Sequence, residues 1–278
     1  MDTATHMLRT GRRGPLFEYQ MAFRDLRMSG ERLGLAWSLA WHDVVSRYRG
    51  SILGPLWITL SMGLMVLGIG FLWGEVFGVS TRDFIPFVAL GIVFFATVTG
   101  TINEGCDTFV QAAGMLSQTA LPMFTFVWRT VLRNLINLGH HLVIVLAVLA
   151  YFGFWRSANY AGAALGLIFL VLNVGWISLL VGIASARFRD IPQIVQSITQ
   201  AAAIMTPVFW PADRISPAHH AILDLNPFYH LLEAVRAPLL GRDVAPHTYL
   251  FLAGMAVAGW ALTFSLFANT RRRIVHYL

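Results

Sequence analysis

The chain has 278 residues, of which 56% are hydrophobic and only 12% charged, with a formal net charge of +6. Apolar segments of bilayer length recur along it, which marks an all-α integral membrane protein. Its basic surplus is of the kind carried by loops on the inner side of a membrane rather than by a nucleic-acid surface. All 20 basic residues are arginine, so the chain holds no Walker A lysine, and P-loop nucleotide hydrolysis is excluded from it.

Residues 1–30 are polar, arginine-rich and expected to be partly disordered. They lack the apolar core of a signal peptide, so the first span is expected to remain as an anchor. Residues 31–50 read as an amphipathic interfacial helix. Leu33, Trp37, Trp41, Val44 or Val45, and Tyr48 share one face, while Arg32, His42, Asp43 and Arg47 lie largely opposite. Gly54 breaks this helix, Pro55 suits a first helical turn, and an apolar run of spanning length begins at Leu56. Arg47 and Arg49 thus stand at an elbow between an interfacial helix and a span.

Span one is expected over 56–77. Gly70, Gly74 and Gly78 make a groove on it for close packing, either with another subunit or within this one. Span two is expected over 84–102. The segment 103–125 is too polar to span and has helical character up to Pro122. Span three, 126–155, opens unusually, because Arg129, Arg133, Asn137 and His140 fall within an arc of about 80°. Such a stripe must face protein or water, as the lining of a hydrophilic path or as a buried structural network.

Span four is expected over 160–186, with Asn173 near mid-membrane. Span five, 194–210, opens with a second polar face made by Gln193, Gln196, Ser197 and Gln200. Beyond Pro211, Ser216-Pro217 and Asn226-Pro227 each resemble an N-cap followed by proline at the first helical position, and Gly241 is a natural stop. The two short helices implied form a re-entrant or interfacial hairpin within 211–245, with Glu233 and Arg236 three apart on one face. Span six is expected over 248–268. With both termini inside, fifteen arginines fall on the inner side and five on the outer, so six spans with cytoplasmic ends are expected.

No catalytic constellation stands out. The adjacent pairs His140-His141 and His219-His220 point their rings about 100° apart on a helix, which is poor metal geometry. The single cysteine, Cys106, rules out an internal disulfide.

RYRGSILGPLW at the elbow, RDIPQ followed by TPVFWP, and LNPFYHLLEAVRAPLLG together resemble the permease subunits of type-2 ABC exporters, over residues 31–275. Within that family the nearest pattern is the branch that exports O-antigen, capsule and teichoic acid. The resemblance implies a homodimer around a central conduit, with two copies of a separate ATPase beneath it. ATP and magnesium would be bound by that partner, and this chain would carry no cofactor. The 103–125 loop would be the coupling segment and the 211–245 hairpin an external gate. The substrate would be a glycan on a polyprenyl diphosphate. The residue types fit this reading. Arg47, Arg49, Arg129 and Arg133 suit a diphosphate. Asn137, His140, Gln193, Gln196, Gln200, Phe209 and Trp210 suit a sugar chain. A drug or lipid exporter of the same superfamily and a membrane transferase acting on lipid-linked sugars are the competing expectations. The scattered acidic residues argue against the transferase.

Overall fold

The computed structural model describes residues 14–119, 121–216 and 220–278, and its regular elements there are helices. In chain order they are α1 (Pro15–Glu31), α2 (Leu33–Arg47), α3 (Leu56–Phe77), α4 (Thr81–Cys106), α5 (Ala113–Gln118), α6 (Phe124–Phe152), α7 (Tyr160–Arg187), α8 (Ile191–Met205), α9 (Ala221–Asp224), α10 (Pro227–Leu239) and α11 (Pro246–Tyr277). Five of them, α3, α4, α6, α7 and α11, are long and apolar enough to cross a bilayer.

Helix α4 is the axis of the bundle. It is apolar on all sides, and an unbroken run from Phe84 to Phe95 is buried, as expected of a helix enclosed by others. It packs against α3, α6, α7, α8 and α10. Its start is fixed locally: Gly78 ends α3 in the left-handed region at φ 62°, and Ser80 caps α4 by accepting from the Asp83 amide at 3.3 Å. The glycine groove on α3 closes on this neighbour. A Cβ at Gly70 would stand 3.0 Å from Ile85, and one at Gly74 would stand 3.5 Å from Phe84. Of the two expectations for the groove, the structure bears out packing within the subunit.

One end of the bundle, here the elbow end, gathers α1, α2, the start of α6 and the last turns of α4, α7 and α11. Its core includes Ala22, Phe109, Phe124, Ile183, Phe267 and Ile274. The stretch expected to be partly disordered is helical from Pro15; residues 1–13 lie outside the described residues. Helix α1 is fastened rather than free. Tyr19 and Ser265 share a hydroxyl hydrogen bond of 2.6 Å, Arg271 donates to the Met21 carbonyl at 2.7 Å, and Glu18 pairs with Arg272 at 3.2 Å. Its low apolar content hid these partners, which come from the far end of the chain.

Helix α2 packs on α6 through Ala36, Ala40 and Val44, all buried. Trp37 and Trp41 remain 50% and 49% exposed, beside exposed Leu33 and Val45. Val45 therefore belongs to the tryptophan face and Val44 to the packed one. Small alanines let α2 approach α6 closely, while the large apolar face stays exposed.

The opposite, hairpin end departs from expectation at α8. The helix starts at Ile191 and stops at Met205, not at Trp210. Pro207 drives Thr206 out of the helical region, to ψ 138°. Fifteen residues rise roughly 22 Å, short of the about 30 Å hydrocarbon core. Helix α10 lies next to this break and is mostly buried, from His230 through Leu239. Phe228 packs on Phe95 with ring centroids 5.9 Å apart, roughly 20 Å of helical rise in from Thr81. The other end of α10 meets the start of α7, where Asn159 donates to the Pro238 carbonyl. Asn226 caps α10 through the Phe228 and Tyr229 amides, and Gly241 follows it in the left-handed region at φ 69°. The helical turn expected after Ser216 begins at Pro217, which lies outside the described residues.

Candidate functional site: a charge cluster at the elbow

Three helices bring a compact ionic cluster together at the elbow. From α2, Asp43 receives both arms of Arg129 on α6, Nε at 2.7 Å and Nη2 at 2.6 Å. One turn along α6, Arg133 donates through Nη1 to Asp43 at 3.1 Å and through Nε to Glu104 Oε2, on α4, at 2.8 Å. Asn134 donates to the same Glu104 oxygen at 2.7 Å. The other oxygen, Oε1, is held by Arg47 at 3.2 Å. The four-residue spacing of Arg129 and Arg133 stacks them on one face of α6, and the alanine face of α2 brings Asp43 within reach.

The two halves of the cluster differ in exposure. The Arg133 side chain is 7% exposed, whereas that of Arg47 is 51% exposed. Burial works against the charge of Asp43, but Arg129 and Arg133 more than offset it and hold its pKa below the usual carboxylate value. Three guanidiniums face two carboxylates, so the cluster keeps one positive charge in surplus. Arg49, two residues past Arg47, is exposed, and its guanidinium has no hydrogen-bond partner among the described residues.

The other residues singled out from the sequence do not join this cluster. Asn137 is half-buried one turn beyond Arg133. His140 shares its Nδ1 with the Ile136 carbonyl at 2.9 Å, and its own carbonyl accepts from Thr59 at 3.2 Å. Gln193, Gln196 and Gln200 lie exposed along α8, and their side-chain amides have no hydrogen-bond partner among the described residues. Phe209 packs at the edge of the main core, and Trp210 donates to the Ile204 carbonyl. The sequence reading passed over Asp43, Glu104 and Asn134 as partners. The available signal was the cost of two arginines on a membrane helix, which demands counter-charges among the few acidic residues nearby.

A second buried charge lies at the hairpin end. Arg236 is 1% exposed. It donates to Glu233 at 3.0 and 2.6 Å and to the Pro207 carbonyl at 2.6 Å, and it stacks over Phe87 at 4.1 Å. It thereby joins α10, the break after α8 and α4. Mid-bundle, Asn173 donates to the Phe169 and Leu252 carbonyls and accepts from Trp176, a satisfied tie between α7 and α11.

Five spanning-length helices, one of them the buried axis, with charge clusters at both ends and an open polar stripe on α8, define a polytopic all-α membrane protein. The chain belongs to the ABC-2 type transporter family, which matches residues 34–240. It is similar to "O-antigen export system permease protein RfbA" of Myxococcus xanthus, 26% identical over 73% of this chain and 79% of that protein. It is also similar to "Nodulation protein J" of Neorhizobium galegae, 24% identical over 85% of this chain and 90% of that one. The protein of the same RfbA name from Klebsiella pneumoniae is 20% identical over 85% and 92%.

Proposed function

We propose that this chain is the permease subunit of an ATP-driven transporter exporting a lipid-linked polysaccharide, an O-antigen, capsule or similar glycan, across the bacterial inner membrane. The observation that carries the reading is the unpartnered stripe of Gln193, Gln196 and Gln200 on α8. Amides against lipid are costly, whereas against a second copy of the chain they line a path whose walls hydrogen-bond a sugar chain. Two copies make the conduit, and both termini lie in the cytoplasm. A separate ATPase, in two copies, binds ATP and magnesium and docks on the segment between α4 and α6. Two of the similar proteins bear the name of O-antigen permeases, which supports a glycan as the cargo, and the arginines at the elbow suit one carried on a polyprenyl diphosphate. Arg47 and Arg49 are the first residues to meet that diphosphate, and Arg129 and Arg133 stand behind them with Asn137 and His140.

The test is transport by the chain reconstituted with its ATPase in vesicles. ATP-dependent passage of a polyprenyl diphosphate-linked glycan is expected. Replacing the three glutamines with leucine should abolish it while assembly persists. Movement of amphiphilic dyes or phospholipid, with no movement of the glycan, would instead establish the drug or lipid exporter.

A further inference from the structure

Glu104 occupies a position that the proposed function does not use. It stands in the last turn of α4, which ends at Cys106, and so directly precedes the segment proposed to contact the ATPase. Its two oxygens are held unequally. Oε2 takes two short bonds, from buried Arg133 at 2.8 Å and from Asn134 at 2.7 Å. Oε1 takes a single 3.2 Å bond from Arg47, whose side chain is 51% exposed. Arg47 is also the last residue of α2, the helix that presents its tryptophans to the bilayer surface.

We propose that Arg47 is an exchangeable tether: a phosphate-bearing lipid headgroup arriving at the elbow takes Arg47 from Glu104, and so releases the end of α4, next to the coupling segment, from α2. This rests on the reading of the elbow as the diphosphate entrance. An exposed single-bond ion pair contributes little in water, whereas a diphosphate offers several charged oxygens to the guanidinium fork. The exchange therefore favours the phosphate. The buried half of the cluster need not break, because Arg133 and Asn134 keep Oε2 while Oε1, on a partly exposed carboxylate, becomes hydrated. Substrate arrival is thereby converted into slack between α2 and α4, with no movement of α6.

The experiment compares Arg47→Ala with Arg49→Ala in the assembled permease–ATPase complex. ATPase rate and binding are measured with vesicles containing polyprenyl diphosphate, and with vesicles containing phosphatidylglycerol alone. Breaking the tether in Arg47→Ala should raise the basal ATPase rate to the stimulated level and abolish further stimulation. Arg49→Ala, which breaks no tether, should still be stimulated, but only at a higher concentration of polyprenyl diphosphate. Glu104→Gln, which keeps an acceptor for Arg133 and Asn134, should also raise the basal rate. It should bind polyprenyl diphosphate up to about fivefold more tightly, since a competitor for Arg47 is gone. If both arginine variants only weaken binding, with basal rates unchanged, the tether is refuted and the entrance stands. If neither changes binding, the entrance itself is wrong and the tether falls with it. Equal stimulation by phosphatidylglycerol would support the exchange but make the trigger any anionic headgroup rather than the cargo.

Discussion

Arg236 shows how a single charge is accommodated inside an apolar bundle. Its Nε and Nη2 both donate to one Glu233 oxygen, its Nη1 donates to the Pro207 carbonyl, and its flat face lies over Phe87. Lysine carries the charge but neither the fork nor the stacking face. Truncation to alanine leaves Glu233 without its partner and Pro207 without its donor. We therefore expect Arg236→Ala to lower stability by about 3–5 kcal/mol and Arg236→Lys to recover only part of that, measured by thermal unfolding in detergent. Wild-type melting of the alanine variant would show that the three contacts contribute nothing. Asp43 gives a second prediction at this scale. Its pKa is held low in the folded chain, so its stabilisation is present above the ordinary value of about 3.9 and drains as pH falls through the lower folded value. Asp43→Asn should melt below wild type at neutral pH, and the gap should close on acidification past about pH 4. A gap that is constant with pH would exclude ion pairing as its cause.

Among the elements, α1 is the one whose role follows least from its own sequence. Asp25 accepts from the Met123 and Phe124 amides at 3.1 and 3.0 Å, capping α6 from a different helix. These amides are among the first, otherwise unpaired donors of α6, and the N-terminal dipole favours the carboxylate there. Burial pushes the Asp25 carboxyl above its usual range, although both amides and Arg271 pull the other way. Asp25→Ala should cost about 0.5–2 kcal/mol, the usual range for a lost cap. It should also raise amide hydrogen exchange from Leu121 to Thr125 more than elsewhere. Unchanged exchange in that stretch would mean that α6 does not depend on α1. The elements best foretold were those with strong local punctuation: α3 matches its expected limits, because Gly54-Pro55 and Gly78 bound it. Helix α8 ended early because Pro207 acts one residue ahead of itself, while the apolar run continues past the break to Trp210.

At the scale of the molecule, two of the helices that pack on α4, namely α3 and α8, leave apolar side chains uncovered. Helix α3 is mostly exposed, including Leu64, Leu67, Phe71 and Leu72, and so are Ile194, Ile198 and Ile204 on α8. Because α4 fills the glycine groove of α3, the proposed dimer rests on the amide stripe of α8. Cys106 is buried, so a cysteine placed on the stripe would be the reactive one. Gln196→Cys in a Cys106→Ala background should form a disulfide-linked dimer in the membrane under mild oxidation, and Val143→Cys, on α6, should not. Absence of any Gln196→Cys dimer would place the copies elsewhere. The sequence by itself determined the all-helical membrane class, the place of the helices of spanning length, the amphipathic α2 and the absence of a P-loop. These follow from composition, run length and local punctuation, which act within a few turns of the chain. The tertiary structure alone decided which acid each arginine meets, which helix fills the glycine groove and what α1 holds. Asp43, Glu104 and Arg133 are far apart in sequence, and a charge on one helix cannot specify its counter-charge until packing brings the helices together.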